Sequence, residues 1–279
     1  MPSNRHTMSH PATYLVGDEQ LSAEQCRALF SRMPLLDRQL KVLERIEGDT
    51  IVDIGCYSGL FVHEVARRFP EKTVIGIDCF EDNIRIAQLL YPEMQDCFRK
   101  MSVYGLDMAD ASIDCITLQE VLEHLEGAAL AIKEVNRVLK PGGVLIVTVP
   151  NPFYVLRIAR FMSAEIGNVL RRWRGRALRL EAEVLSKSIE SDRHIYSWTP
   201  QTLLTLLVSN GFEYIEHCYE CRTPDLLRRW FLAVLPFLGP TQILKVRKVA
   251  AAPRISSDQE SPRVTAQKTD GASSARAVP

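Results

Sequence analysis

A surplus of either charge is missing from this chain: across 279 residues, 34 Lys and Arg balance 34 Asp and Glu. Without a basic excess the whole-chain field offers nucleic acid no general attraction, which speaks against that class of partner. An apolar leader is also missing from MPSNRHTMSHPATY at the start, so export is disfavoured and a cytoplasmic location is expected. Long apolar runs are scarce. The nearest, RRWFLAVLPFLG over 228–239, is too short to span a bilayer and is broken by Pro236. It reads as a buried helix beside the last strand, with contact at a membrane surface as the alternative. The seven cysteines are scattered, and Cys218-x-x-Cys221 has no second pair near it. Reduced core packing is therefore expected, and no metal site.

What is there begins with IVDIGCYSGLF over 51–61, a strand ending in Asp53 that turns through Gly55 and Gly59 into a helix. Exposed amides at such a turn can receive a polar ligand. The spacing is G-x-x-x-G, and Tyr57 stands between the glycines. The third glycine of a G-x-G-x-x-G dinucleotide site is absent, so a nucleotide-type ligand is favoured over NAD. The run TVIGID over 73–78 then supplies an acid, Asp78, one helix and one return strand later. A carboxylate at a strand end can accept hydrogen bonds from both hydroxyls of a ribose.

Alternation continues along the chain. Strands are expected at 50–54, 73–78, 97–101, 113–118 and 143–149, with helices at 59–69, 81–90 and 127–139, and Pro141-Gly142-Gly143 as a turn. This pattern predicts a doubly wound α/β sheet. Residues 1–20 read as loosely ordered. The stretch 21–46 has helical spacing interrupted at Pro34 and completes an N-terminal helical cap over 1–46. The main domain runs over 47–249, and a tail rich in Ser, Ala and Pro over 250–279 reads as disordered.

Within the main domain, 152–192 reads as inserted helices before a Thr-Pro helix start and an Asn-Gly stop. Such an insertion near the carboxyl ends of the strands can roof a site. Its residues 151–190 hold eight Lys or Arg against four Glu, with Arg171, Arg172, Arg174, Arg176 and Arg179 close together. Those arginines suit a solvated helix face, an anionic substrate or an anionic lipid surface.

DIGCYSG at 53–59, GID at 76–78, ASIDCITLQEVLEHL at 111–125, EVNRVLKPGGVLIVTVPN at 134–151 and RHIYSWTPQTLLTLLVSNGFEYIE at 193–216 occur in one order. Together they resemble the class I S-adenosylmethionine-dependent methyltransferases, in the group that contains the ubiquinone and menaquinone biosynthesis enzymes. The resemblance implies a mostly parallel seven-stranded sheet, with 152–192 as a helical lid, and S-adenosylmethionine as cofactor. It implies that Asp53 orients the methionine portion of the donor, that Gly55 and Gly59 bring backbone close, and that Asp78 binds the ribose. Cys79 and Phe80 would border the adenine. Ser102 stands where the family often has an acid for the adenine amino group, so Met101 or Val103 would supply contact instead. Gln119 and Glu120 would face the methyl-donor pocket, with Tyr57 narrowing its entrance.

Methyl transfer needs an acceptor aligned behind the methyl carbon, and a weakly acidic hydroxyl or an amine must also lose a proton. His194 and His124 are the candidate bases, with Glu120 four residues before His124 on an expected helix start where the two could pair. Each histidine has a purely structural alternative, and Tyr154 is a further pocket-lining candidate. The acceptor is expected to be a small molecule with an oxygen nucleophile, anionic or lipid-linked. Methylation of protein or RNA, and donor binding without catalysis, remain as alternatives.

Overall fold

The computed structural model describes residues 13–16, 19–30, 33–174, 196–220, 232 and 234–250. Strands β3 (Thr50–Ile54), β4 (Thr73–Asp78), β5 (Phe98–Lys100), β6 (Ile113–Gln119), β7 (Leu139–Pro150), β8 (Phe212–Tyr219) and β9 (Thr241–Lys248) form one sheet, in the order β5-β4-β3-β6-β7-β9-β8. All neighbours pair in parallel except β9, which runs antiparallel to both β7 and β8. This is the expected seven-stranded, mostly parallel Rossmann-like sheet. Its central strands read as continuous apolar runs because helices cover both faces.

On one face α5 (Ala128–Val138) and α7 (Pro200–Ser209) pack Ile132, Val135, Leu203 and Leu207 against Val52, Ile54, Leu118, Leu145 and Leu244. On the other, α3 (Leu60–Arg68) and α4 (Glu81–Leu90) pack Phe61, Val62, Val65 and Ile84 against Ile51, Val74, Cys115 and Ile146. Strand order reverses at β3, between β4 and β6. The crevice beyond the carboxyl ends of β3, β4 and β6 is therefore the place where a sheet of this kind binds ligands.

Several local expectations change. Within the stretch read as loosely ordered, β1 (Thr13–Val16) and β2 (Glu19–Ser22) pair antiparallel, so Leu21 and Ser22 end a hairpin rather than begin a helix. The helical residues follow as α1 (Ala23–Phe30) and, after the break at Pro34, α2 (Asp37–Leu43). Cys26 and Phe30 bury against Ile86 of α4, with Val16 and Leu21 packed alongside. A short amphipathic segment takes whichever period lets it cover a neighbour, and here that neighbour is α4. Farther along, α2 and its exit are tied to the opposite edge of the sheet: Lys41 Nζ donates to the Tyr219 carbonyl, and Arg45 pairs with Glu216.

The β7 ladder opens at Leu139 rather than 143. Its register jumps between the pairs Ile113–Leu139 and Cys115–Val144, so Pro141-Gly142-Gly143 bulges out of a strand instead of separating it from a helix. The β5 strand is shorter than expected because Cys97 closes a 3-10 turn. Of the inserted segment, α6 (Val155–Trp173) is a single helix, and residues 175–195 lie outside the described residues, as do Arg176 and Arg179. Residues 228–231 and 233 of the RRWFLAVLPFLG run, Cys221, and the expected tail from residue 251 onward also lie outside them. Leu232 is buried, and Pro236–Leu238 forms a 3-10 turn before β9.

Candidate active site

The site grows from the turn after β3. Gly55 has φ of +80°, and a Cβ there would meet Val121 Cγ2 at 2.5 Å, so the backbone presses directly onto the loop that follows β6. Its N–H donates to the Ile77 carbonyl at 2.7 Å, and that of Cys56 donates to the same oxygen at 2.9 Å. Gly59 starts α3 at φ of +77°, where a Cβ would strike the Phe98 ring. The turn is thereby fixed against both neighbouring strands.

Two carboxylates close the ends of adjacent strands. Asp53 is buried and accepts from Thr117 Oγ1 and from Gln119 Nε2 at 3.1 Å. Burial pushes its carboxyl up to about 6, against the pull of the Thr117 and Gln119 hydrogen bonds, with the charge of Asp78 adding to the rise. Asp78, also buried, accepts from the Tyr57 N–H at 3.1 Å through one oxygen and from the Phe80 N–H at 2.9 Å through the other. Both bonds to Asp53 fall on Oδ1, which leaves its Oδ2, and a second lone pair on each oxygen of Asp78, as acceptor capacity. The crevice is accordingly anionic and suited to a cation.

Around this pair the remaining donor-site candidates divide. Cys79 and Phe80 are exposed at the β4 exit, where Phe80 precedes α4. Partial desolvation first, and then the Asp78 charge, raise the Cys79 thiol above its ordinary value. Ser102 is exposed and accepts from the Tyr104 N–H at 3.3 Å, whereas Val103 points into the core with Ile77 and Leu106. Met101 N–H donates to the Asp78 carbonyl, which brings that segment beside the crevice. The Tyr57 side chain is nearly half exposed, and its ring meets Phe30 of α1 edge-on at 5.7 Å. Gln119 has its Oε1 buried without a hydrogen-bond partner among the described residues, although its Nε2 is engaged by Asp53.

The expected helix start at Glu120 does not form. Glu120 sits at φ of +55° and Leu122–His124 is a three-residue 3-10 turn, so Glu120 and His124 share no helical face. The reason lies in β7: the Glu120 N–H donates to the Thr148 carbonyl at 3.0 Å, and Thr148 Oγ1 donates to Glu120 Oε1 at 3.2 Å. These bonds extend strand-like pairing one residue past β6 and force a reversal. His124 is half-buried on the turn, and Tyr154 precedes α6. His194 lies outside the described residues.

Sequence reading passed over the buried threonines. Thr117 shares the Asp53 face of the sheet and Thr148 holds Glu120; both are uncharged and sit in apolar strands, so their only signal is a polar residue at a core position. Asn151 was similarly silent. It is buried, and its amide donates to the Phe237 and Gly239 carbonyls at 2.8 and 2.7 Å, tying the end of β7 to the approach to β9.

Comparison with known proteins agrees with this geometry. Residues 52–147 match the methyltransferase domain family model. Residues 52–147 thus carry a methyltransferase domain, and the sheet is consistent with the class I S-adenosylmethionine-dependent methyltransferases. This methyltransferase domain is similar in sequence to the ubiquinone biosynthesis O-methyltransferases. That of Alkalilimnicola ehrlichii is 35% identical over 131 residues, covering 46% of this chain and 52% of that protein. That of Agrobacterium fabrum is 33% identical over 136 residues, covering 48% and 53%. The chain spans about half the length of the curated relatives it matches.

Among solved structures, an S-adenosylmethionine-dependent methyltransferase from Mesorhizobium loti aligns with a TM-score of 0.53 at 18% identity, covering 75% of this chain and 97% of that one. The [4+2]-cyclase SpnF aligns with a TM-score of 0.51 at 20% identity, covering 77% and 82%. At these identities the likeness is one of fold.

Proposed function

We propose that this methyltransferase domain moves the methyl group of S-adenosylmethionine to an oxygen of a small-molecule acceptor. The observation that carries the reading is the pair of buried carboxylates, Asp53 and Asp78, at the ends of adjacent strands where the sheet order reverses. A donor that bears a sulfonium, an ammonium and a ribose matches that pair in charge and in hydrogen-bonding capacity. A dinucleotide pyrophosphate does not match its charge. When bound, S-adenosylmethionine supplies an electrophilic methyl group on a sulfonium.

The chain's own residues do the rest. Asp78 holds the ribose hydroxyls through its free lone pairs, while the Gly55 turn admits close backbone approach. Asp53 attracts the cationic end of the donor, and the buried Oε1 of Gln119 accepts from its ammonium. Cys79, Phe80 and the backbone at Ser102 and Val103 border the adenine. Gly59 and Tyr57 shape the turn, with the Tyr57 ring held by Phe30 at the cleft mouth. Alignment and exclusion of water are the main catalytic contributions.

An oxygen acceptor must also lose its proton. His124, on the turn after β6, and His194 are the residues proposed for that step, with Glu120 facing the donor pocket. Tyr196 supports keeping the 193–196 stretch in this scheme: its N–H donates to the Glu123 carbonyl at 3.2 Å and its hydroxyl to that of Glu126 at 3.1 Å. The names of the ubiquinone-biosynthesis relatives support an oxygen acceptor.

Calorimetric titration with S-adenosylmethionine, S-adenosylhomocysteine and NAD tests the donor assignment. Micromolar binding of the two sulfur compounds without NAD is expected, and binding of none of them would overturn it. Transfer of labelled methyl to phenolic and other hydroxylated acceptors then tests the reaction. A second reading, donor binding without methyl transfer, draws on the cyclase that shares the fold; it would be favoured by tight donor binding with no label transferred to any acceptor.

A further inference from the structure

The α6 helix differs from an ordinary surface helix in leaving its apolar stripe exposed. A helix on a soluble domain normally turns its apolar stripe toward the core and its charges outward. In α6, Ile158, Met162, Ile166, Val169 and Leu170 are all exposed, and Trp173 is 88% exposed. At 3.6 residues per turn these six positions fall within a sector of about 120°, so they form one stripe rather than scattered exposures.

Basic charge predominates beside that stripe, although exposed Glu165 lies at the same border as Arg172. Arg172 and Arg174 are exposed and fall beyond its opposite borders, and half-buried Arg171 lies on the far face. Between Val155 and Arg174 the sequence holds five arginines and one glutamate, Glu165. Arginines in the last turn also suit the negative end of the helix dipole, so the basic cluster and the helix reinforce each other. At about 28 Å the helix is long enough to lie across many headgroups. Among the described residues no helix is long and apolar enough to cross a membrane.

We propose that α6 lies in the plane of an anionic phospholipid surface, with its apolar stripe inserted among the acyl chains and Arg172 and Arg174 on the phosphates. An aqueous partner of mixed charge would leave the arginine excess unmatched. An anionic bilayer answers both features at once: apolar depth for the stripe, and negative charge along both of its borders. Trp173, at the end of the stripe between arginines, belongs at the interface, where an indole has an apolar body and a polar N–H. The inference stands apart from donor binding, and it would bring an acceptor dissolved in the membrane to the same face of the chain.

Co-sedimentation of the full chain with vesicles tests it. Pelleting is expected with phosphatidylglycerol–phosphatidylcholine vesicles, and affinity at least about tenfold weaker with phosphatidylcholine alone. Ile166→Ser with Val169→Ser, and separately Arg172→Gln with Arg174→Gln, should each reduce binding to the anionic vesicles by about tenfold or more. Trp emission should shift to the blue on vesicle addition, and Trp173→Phe should remove that shift. Every substituted side chain is exposed, and S-adenosylmethionine titration of each variant reports separately on the fold and donor site. Absence of pelleting, equal binding to both vesicle types, or undiminished binding by both double variants would overturn the proposal. A dimer in size-exclusion chromatography that Ile166→Ser with Val169→Ser dissolves, with no vesicle binding, would assign the stripe to a second copy instead.

Discussion

Asp53 concentrates the conflict between stability and binding at one residue. Burial raises its carboxyl to about 6, so near neutral pH the folded chain holds a buried anion that, among the described residues, Thr117 and Gln119 satisfy directly. For an acid raised above its unfolded value, the native state binds the extra proton between about pH 4 and 6 and loses stability as pH rises through that window. Asp53→Asn should therefore stabilise the ligand-free protein by up to about 3 kcal/mol at pH 8, with the gain fading toward pH 4. Urea unfolding at the two pH values checks the sign. The same substitution should weaken S-adenosylmethionine binding at least about tenfold, and wild-type affinity should fall as pH drops through about 6. Asp78→Ala removes the proposed ribose acceptor and also the partner of two backbone amides. Donor affinity should drop by about 2 kcal/mol or more, and unchanged affinity in calorimetry would refute the ribose role.

At the scale of elements, the turn from β3 into α3 depends on glycine for two separate reasons, a positive φ and the absence of room. Gly55→Ala places a methyl against Val121 in a conformation that alanine resists, and should cost about 1 to 3 kcal/mol in stability. Because Val121 belongs to the loop that positions Glu120, turnover should fall more than the loss of folded protein explains, which activity per folded molecule would show. The sequence motif marked this turn correctly. It did not reveal what the glycine avoids, since Val121 is brought there by the pairing of β3 with β6. The α7 helix was fully legible: Thr199 caps it, Pro200 opens it and Asn210-Gly211 ends it, all through bonds local in sequence. Glu120 was misread because its competitor is distant. Local spacing favoured a helix start, and two bonds to Thr148 of β7 won.

For the whole molecule, donor binding and folding are linked, since the Asp53 and Asp78 segments meet only in the assembled sheet. S-adenosylmethionine at about one hundred times its dissociation constant should add about 2.7 kcal/mol and raise the melting temperature by about 5 to 10 °C. NAD at equal concentration should give no shift, and an equal shift would undermine the donor assignment. Balanced overall charge was legible from composition, yet it concealed an uneven distribution, because the arginines of α6 are offset by acids elsewhere. The exposed apolar stripe could not be read from spacing, because a 3.6-residue period says that a helix has an apolar face but not which way that face turns.

By itself the sequence determined the alternation of strands and helices, the glycine turn, the acids at the ends of β3 and β4 and the caps of α7, because each depends on neighbours a few residues away or on a repeat along the chain. Tertiary structure decided the rest. It placed β9 between β7 and β8, set Thr117 under Asp53, reversed the chain at Glu120, seated Phe30 on Tyr57 and turned α6 outward. Those outcomes rest on contacts between segments far apart in the chain, whose energies exist only once the sheet has brought them together.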